Sequence, residues 1–126
     1  MNLLLDTHPF LWWAGGSARL SAESREAILD PQNLVSVSAA SIWEAEIKAE
    51  QGRLEVAGGE LLEEARRIGF HVIDMTADDS VAAGRLPRHH GDSFDRMLVA
   101  QAQRRGLTLV TRDARLGAYG VATLLA

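Results

Sequence analysis

The sequence predicts an α/β fold: a parallel sheet of four to five strands flanked by helices on both faces. Three observations carry this. Short apolar runs at residues 3–5, 34–37, 70–73 and 107–110 have the length and composition of buried strands. Amphipathic or well-capped helical stretches lie between them, and strands alternating with helices favour a parallel sheet covered on both sides. The chain has 126 residues, 47% of them hydrophobic, which suits one compact domain with a sizeable core.

Leu3 to Leu5 read as the first strand. Thr7 and Pro9 fit the N-cap and first turn of a helix running through Trp13, ended by Gly15-Gly16. Ser21 caps a second helix that closes at Asp30-Pro31. Leu34-Val35-Ser36-Val37 is the second strand. Ser38 or Ser41 caps a helix carrying Ile42, Trp43, Glu44, Ile47 and Lys48, with Gly52 after its end. Gly58-Gly59 reads as a turn. Glu60 to Ile68 is amphipathic, with Leu61, Leu62, Ala65 and Ile68 on one side and Gly69 beyond. Phe70 to Ile73 is the third strand. Thr76 and Asp79 are spaced as a capping box, with aspartate in place of glutamate. Residues 88–92 form a polar loop. Asp92 or Ser93 caps a helix through Met97, Leu98, Ala100, Gln101 and Ala102, ended by Gly106. Leu107 to Val110 is the fourth strand, and Tyr119 to Leu125 reads as a fifth at the edge. No repeat, linker or low-complexity segment interrupts this order.

Cysteine is absent, which removes disulfides and thiolate metal sites and is compatible with a reducing compartment. No stretch approaches the roughly 20 apolar residues of a membrane span, and the first residues lack the basic start of a signal peptide, so the expectation is a soluble cytoplasmic protein without membrane contact. The net charge is −4, which by itself argues against a simple nucleic-acid binder. The charge is unevenly placed. Residues 85–115 hold seven arginines against three aspartates, whereas residues 1–84 hold 6 basic and 14 acidic side chains. Arginine forks suit phosphate, although solvated helix faces fit the same pattern.

Four acids stand out. Asp6 follows the first strand, Glu44 lies in the helix after the second, Asp95 opens a helical stretch, and Asp113 follows the fourth strand. In an open parallel sheet, ligands bind beyond the carboxyl ends of the strands. Carboxylates gathered there suit a hard divalent cation, Mg²⁺ or Mn²⁺, able to acidify water and clamp phosphate oxygens. On the residues alone, other roles stay open: Asp6, Asp92 or Asp95 as helix caps, Asp113 as a turn residue, Glu44 as the i,i+4 partner of Lys48. His8, His71, His89 and His90 show no metal-ligand spacing, and the adjacent His89-His90 reads as surface loop. Trp12, Trp13 and Trp43 fit core packing or a binding surface.

The words around the acids resemble those of the PIN-domain ribonucleases, in particular the VapC-type toxins of bacterial toxin–antitoxin pairs. The resemblance rests on Leu4-Leu5-Asp6-Thr7-His8, on residues 36–44 with Ile47-Lys48, on Leu86-Pro87 through Asp92-Ser93-Phe94-Asp95-Arg96 to Ala102, and on Leu109-Val110-Thr111-Arg112-Asp113. These blocks occur in the family's order and span nearly all of residues 1–126, so they imply one PIN domain. The resemblance further implies that Asp6, Glu44, Asp95 and Asp113 are the metal-binding catalytic acids, with Asp92 as an auxiliary acid and Thr111 as a hydroxyl supporting a ligand carboxylate. Ser93 departs from the family's usual proline. The implied reaction is endonucleolytic hydrolysis of RNA with Mg²⁺ or Mn²⁺, leaving a 5′-phosphate and a 3′-hydroxyl. The implied partners are RNA, a cognate antitoxin, and a second copy in a homodimer or toxin–antitoxin hetero-oligomer. A degenerate PIN domain acting as a binding module would have lost an acid, and all four are present. A receiver-like phospho-acceptor would carry an adjacent acid pair after the first strand and a lysine after a late one. A phosphatase with an Asp-x-Asp pair would need a second aspartate where His8 stands.

Overall fold

In the computed structural model, which describes residues 1–126, every strand of the sheet runs parallel to its neighbours. The elements in chain order are β1 (Asn2–Leu5), α1 (Thr7–Ala14), α2 (Ala22–Leu29), β2 (Leu34–Ser38), α3 (Ala39–Glu50) and α4 (Gly58–Ile68). They continue as β3 (His71–Ile73), α5 (Ala77–Gly84), α6 (Ser93–Arg105), β4 (Thr108–Thr111), a 3₁₀ helix (Ala114–Tyr119) and β5 (Thr123–Leu125). The strand order is β3-β2-β1-β4-β5. The chain steps outward one way from β1 to β2 and β3, then returns to the other side of β1 for β4 and β5. The switch therefore falls beside β1, where a parallel sheet opens a crevice at its carboxyl edge.

Alternation along the strands divides the core in two. Leu3 and Leu5 face one side with Val35, Val37 and Val110, and pack on Phe10, Leu61, Ala65 and Ala45 from the helices. Leu4 faces the other side with Leu109 and packs on Leu98, Val99 and Ala102 of α6 and on Leu116 of the 3₁₀ helix. The three leucines of β1 are fully enclosed, as expected of a central strand covered on both faces. No helix is long and apolar enough to cross a membrane.

The local chemistry explains most boundaries. Ser21 accepts from the Ser24 N–H and Ser38 from that of Ala40, so both expected serine caps form. Thr76 and Asp79 complete the reciprocal capping box. Gly69 and Gly106 end α4 and α6 in the left-handed region, at φ 86° and 65°.

Four expectations are corrected. Asp6, not Thr7, caps α1: its carboxylate accepts the Thr7 N–H, and Thr7 is the first helical residue. Gly58-Gly59 is not a turn but the start of α4. A Cβ at Gly58 would stand 2.4 Å from the Ile42 carbonyl oxygen, so glycine allows α4 to meet α3 closely there. Phe70 precedes β3, because its N–H is taken by the Ala65 carbonyl as α4 closes. Tyr119 lies in the 3₁₀ helix begun at Asp113, and the edge strand holds only Thr123–Leu125.

Five of the arginines in the basic segment are drawn into the fold or the crevice. Asp79, fully enclosed, accepts from Arg104 and Arg105 at the C-terminal end of α6 and from Gln101. Burial pushes its carboxyl up, but these donors and the Thr76 N–H outweigh that and hold it well below the usual range. Arg96 donates to the carbonyls of Ala83 and Leu86, at 3.0 and 3.1 Å, and to those of Pro87 and His90, at 3.0 and 3.4 Å. It clamps loop 86–92 to the start of α6. Arg112 and Arg115 reach the crevice.

Candidate metal centre

The four expected acids converge. Asp6 leaves the end of β1, whose direction is fixed by the Asp6 N–H to the Val110 carbonyl, 2.9 Å. Its Oδ1 accepts the Thr7 N–H at 2.7 Å and its Oδ2 accepts the Thr111 hydroxyl at 3.0 Å. Thr111 in turn accepts the Asp113 N–H at 3.1 Å. One hydroxyl thus joins the ends of β1 and β4 and orients two acids 107 positions apart in sequence. Glu44, on the first turns of α3, is buried. The Thr7 hydroxyl donates to its Oε1 at 2.6 Å, and the Lys48 ammonium lies 3.0 Å from its Oε2. Both readings of Glu44 therefore hold together: it pairs with Lys48 and it lines the site.

Asp92 is the N-cap of α6, accepting the Asp95 N–H at 3.0 Å, and its carboxylate also lines the crevice. Asp95 is the third residue of α6, so its side chain hangs from the first turn toward the strand ends. Asp113 caps the 3₁₀ helix through the Arg115 N–H. Together these residues wall a crevice of about 440 Å³ whose lining contains no hydrophobic residue. His8, Lys48, His90, Arg112 and Arg115 complete it.

His90 is the departure from expectation. Residues 88–92 leave the regular structure, yet the His90 side chain is only 9% exposed and turns into the crevice. Its Nε2 lies 2.9 Å from Asp113 Oδ2 and 3.4 Å from Asp95 Oδ2. A histidine pair in a polar loop reads as surface. The missed signal was the Arg96 clamp, which folds that loop back over the helix start. The tryptophans divide. Trp12 and Trp13 pack beside the core, with Arg112 over the Trp12 ring at 5.8 Å. Trp43 is 55% exposed and edge-on to Phe94.

The electrostatics follow from crowding. Burial pushes the Asp6 carboxyl up, helped by the charges of Glu44 and Asp92 and opposed by the Thr7 and Thr111 hydrogen bonds. Asp95 is pushed up to about 7 by burial and by Asp6 and Asp92. Asp113 is held well below the usual range by the Arg115 guanidinium, with His90 assisting. His8 is lowered by burial and by Arg112 and Lys48. The donor set is mostly carboxylate oxygen, and two of its acids are hard to ionise without a cation. Both facts fit a hard divalent ion.

A carboxylate-walled crevice at the switch point of a parallel sheet defines a class: α/β proteins with an acidic site at the carboxyl edge of the sheet, chemically suited to a cation. The family follows from the sequence itself. Residues 3–122 match the model of the PIN domain, and the chain belongs to that family. It is 36% identical over 121 residues to ribonuclease VapC22 of Mycobacterium tuberculosis (strain ATCC 25618 / H37Rv), covering 94% of this chain and 92% of that one. The fold matches VapBC2 from Rickettsia felis, solved bound to a DNA fragment from its promoter, with a TM-score of 0.73 at 14% identity over 99% and 98% of the chains. It also matches Mycobacterium tuberculosis VapC20, a sarcin-ricin loop cleaving toxin, with a TM-score of 0.66 at 18% identity over 95% and 96%.

Proposed function

We propose that this protein is a metal-dependent endoribonuclease, the toxin of a toxin–antitoxin pair, acting through Asp6, Glu44, Asp95 and Asp113. One observation carries the reading: four acids scattered from residue 6 to residue 113 wall one polar crevice, with Thr111 bridging two of them. Kinship to ribonuclease VapC22 over nearly the full length of both chains supports the activity. The fold shared with toxins solved alongside their antitoxins supports a protein partner.

Asp6, Asp95 and Asp113 would hold a divalent ion, Mg²⁺ or Mn²⁺, which when bound would supply an acidified water and neutralise charge on the phosphate. Glu44, fixed by Thr7 and Lys48, would orient the attacking water. Asp92 keeps α6 capped and adds negative charge at the rim. Arg112 and Arg115, at the same crevice, draw the RNA backbone toward the acids and offset the net negative charge. Lys48, the chain's only lysine, is engaged by Glu44 from a helix, unlike the strand-end lysine of a phospho-acceptor domain.

The test is Asp6→Asn. Asparagine still accepts the Thr7 N–H, so α1 stays capped. RNA cleavage in Mg²⁺ should fall by at least about 100-fold, the upper end for losing a residue that merely supports a ligand. EDTA should abolish cleavage by the unaltered protein, and circular dichroism should be unchanged. Full activity in Asp6→Asn sinks the assignment.

A further inference from the structure

We propose that His90 is a positioning residue of the metal centre, acting as a fixed Nε2–H donor to Asp113 and not as a metal ligand. The proposal rests on the metal-dependent reading above. The tautomer can be derived from one contact. The Asp92 backbone N–H lies 3.0 Å from His90 Nδ1, and a backbone N–H can only donate. Nδ1 therefore accepts, and in the neutral ring the proton sits on Nε2. That nitrogen is 2.9 Å from Asp113 Oδ2, so it donates there, with Asp95 Oδ2 next nearest at 3.4 Å. Arg115 Nη2 stands 3.1 Å from the same nitrogen. Two donors do not bond each other. What joins them is Asp113 Oδ2, which Arg115 Nη2 also reaches at 2.7 Å.

The two partners of Asp113 differ in permanence. The Arg115 side chain is 74% exposed and can swing away when a cation arrives. His90 is enclosed, and its carbonyl is held by Arg96 and the Tyr119 hydroxyl, each at 3.4 Å. His90 thus stays and keeps the Asp113 carboxylate turned as β4 delivers it. For Nε2 to ligate a metal it would need a free lone pair. The proton would then move to Nδ1 and face the Asp92 N–H, donor against donor. The loop geometry opposes this.

The experiment compares His90→Gln, His90→Asn and His90→Ala with the unaltered protein. A glutamine amide places an N–H near the position of Nε2, whereas asparagine reaches only that of Nδ1. Isothermal titration with Mg²⁺ should show binding weakened about tenfold or more in the asparagine and alanine variants, and within about threefold of normal in His90→Gln. Long-range ¹H–¹⁵N correlation spectra should show the Nε2–H tautomer with and without Mg²⁺. A switch to Nδ1–H on adding Mg²⁺, with no rescue by glutamine, makes His90 a ligand and overturns the proposal. Unchanged Mg²⁺ affinity in a folded His90→Ala also overturns it, while leaving the nuclease reading intact. Conversely, a protein that binds Mg²⁺ but cleaves no RNA loses the nuclease reading and keeps the His90 role. A protein that binds no Mg²⁺ loses both.

Discussion

Removing one of the carboxylates proposed to hold the metal should make the metal-free protein more stable. The perturbation is Asp95→Asn. Native Asp95 holds its proton to about pH 7, whereas an unfolded aspartate releases it near 3.9. Between those values the native state binds more protons, so stability falls as pH rises, and the whole penalty is present above pH 7. The shift corresponds to at most ~4 kcal/mol. Its side chain is 18% exposed, and solvent screening brings the expectation to about 2 kcal/mol. At about 2.1 cal/mol/K per residue, a chain of 126 residues changes its melting temperature by about 4 °C per kcal/mol. In EDTA at pH 8, Asp95→Asn should therefore melt about 8 °C higher than the unaltered protein. The gain should shrink as pH falls and be nearly gone at pH 3, because protonation removes the unaltered protein's penalty. Saturating Mg²⁺ should reverse the order. At a hundred times its dissociation constant a ligand stabilises by about 2.7 kcal/mol, and only the protein with all its acids gains that in full. Thermal melts followed by circular dichroism, across pH and with or without Mg²⁺, measure every arm. An Asp95→Asn protein that melts no higher than the original in EDTA at pH 8, or whose gain ignores pH, refutes the reasoning.

Two further outcomes follow. Asp79→Ala leaves Arg104 and Arg105 without their enclosed partner and should cost about 3 kcal/mol, or roughly 11 °C in melting temperature, while cleavage at 25 °C stays within about threefold, since these ion pairs lie at the far end of α6 from the acids. Denaturant titration and initial rates check the two halves. Arg115→Ala frees Asp113 from a guanidinium that competes with the cation and should tighten Mg²⁺ binding by about threefold by calorimetry.

Much of this was legible in the sequence because the relevant rules are local. The first four strand runs, the serine caps and the capping box depend on residues within a few positions of one another. The same local runs put Asp6 and Asp113 just past strand ends and Asp95 in the first turn of a helix, and all three line the crevice. What stayed hidden depends on distant pairings. By sequence Thr7 reads as the cap of α1, but a strand running straight into a helix puts Asp6 at that position. Gly58-Gly59 read as a turn because nothing local reveals that α3 lies against it. His90 read as surface because its burial comes from Arg96, six residues on, gripping carbonyls that no periodicity exposes. Most arginines of the basic segment likewise looked free for phosphate, yet Arg96, Arg104 and Arg105 are engaged by the fold.

No hydrophobic residue lines the crevice, and this limits what can block it. A greasy small molecule has little surface there to bury, and burial is where such compounds gain most of their affinity. An effective inhibitor must meet the acids on their own terms, with a cation or a guanidinium where the metal belongs and an anion within reach of Arg112 and Arg115. A chain segment bearing arginine answers that description better than a drug-like ring system does. Attempts to silence or release this protein chemically should therefore begin from short, strongly charged peptides.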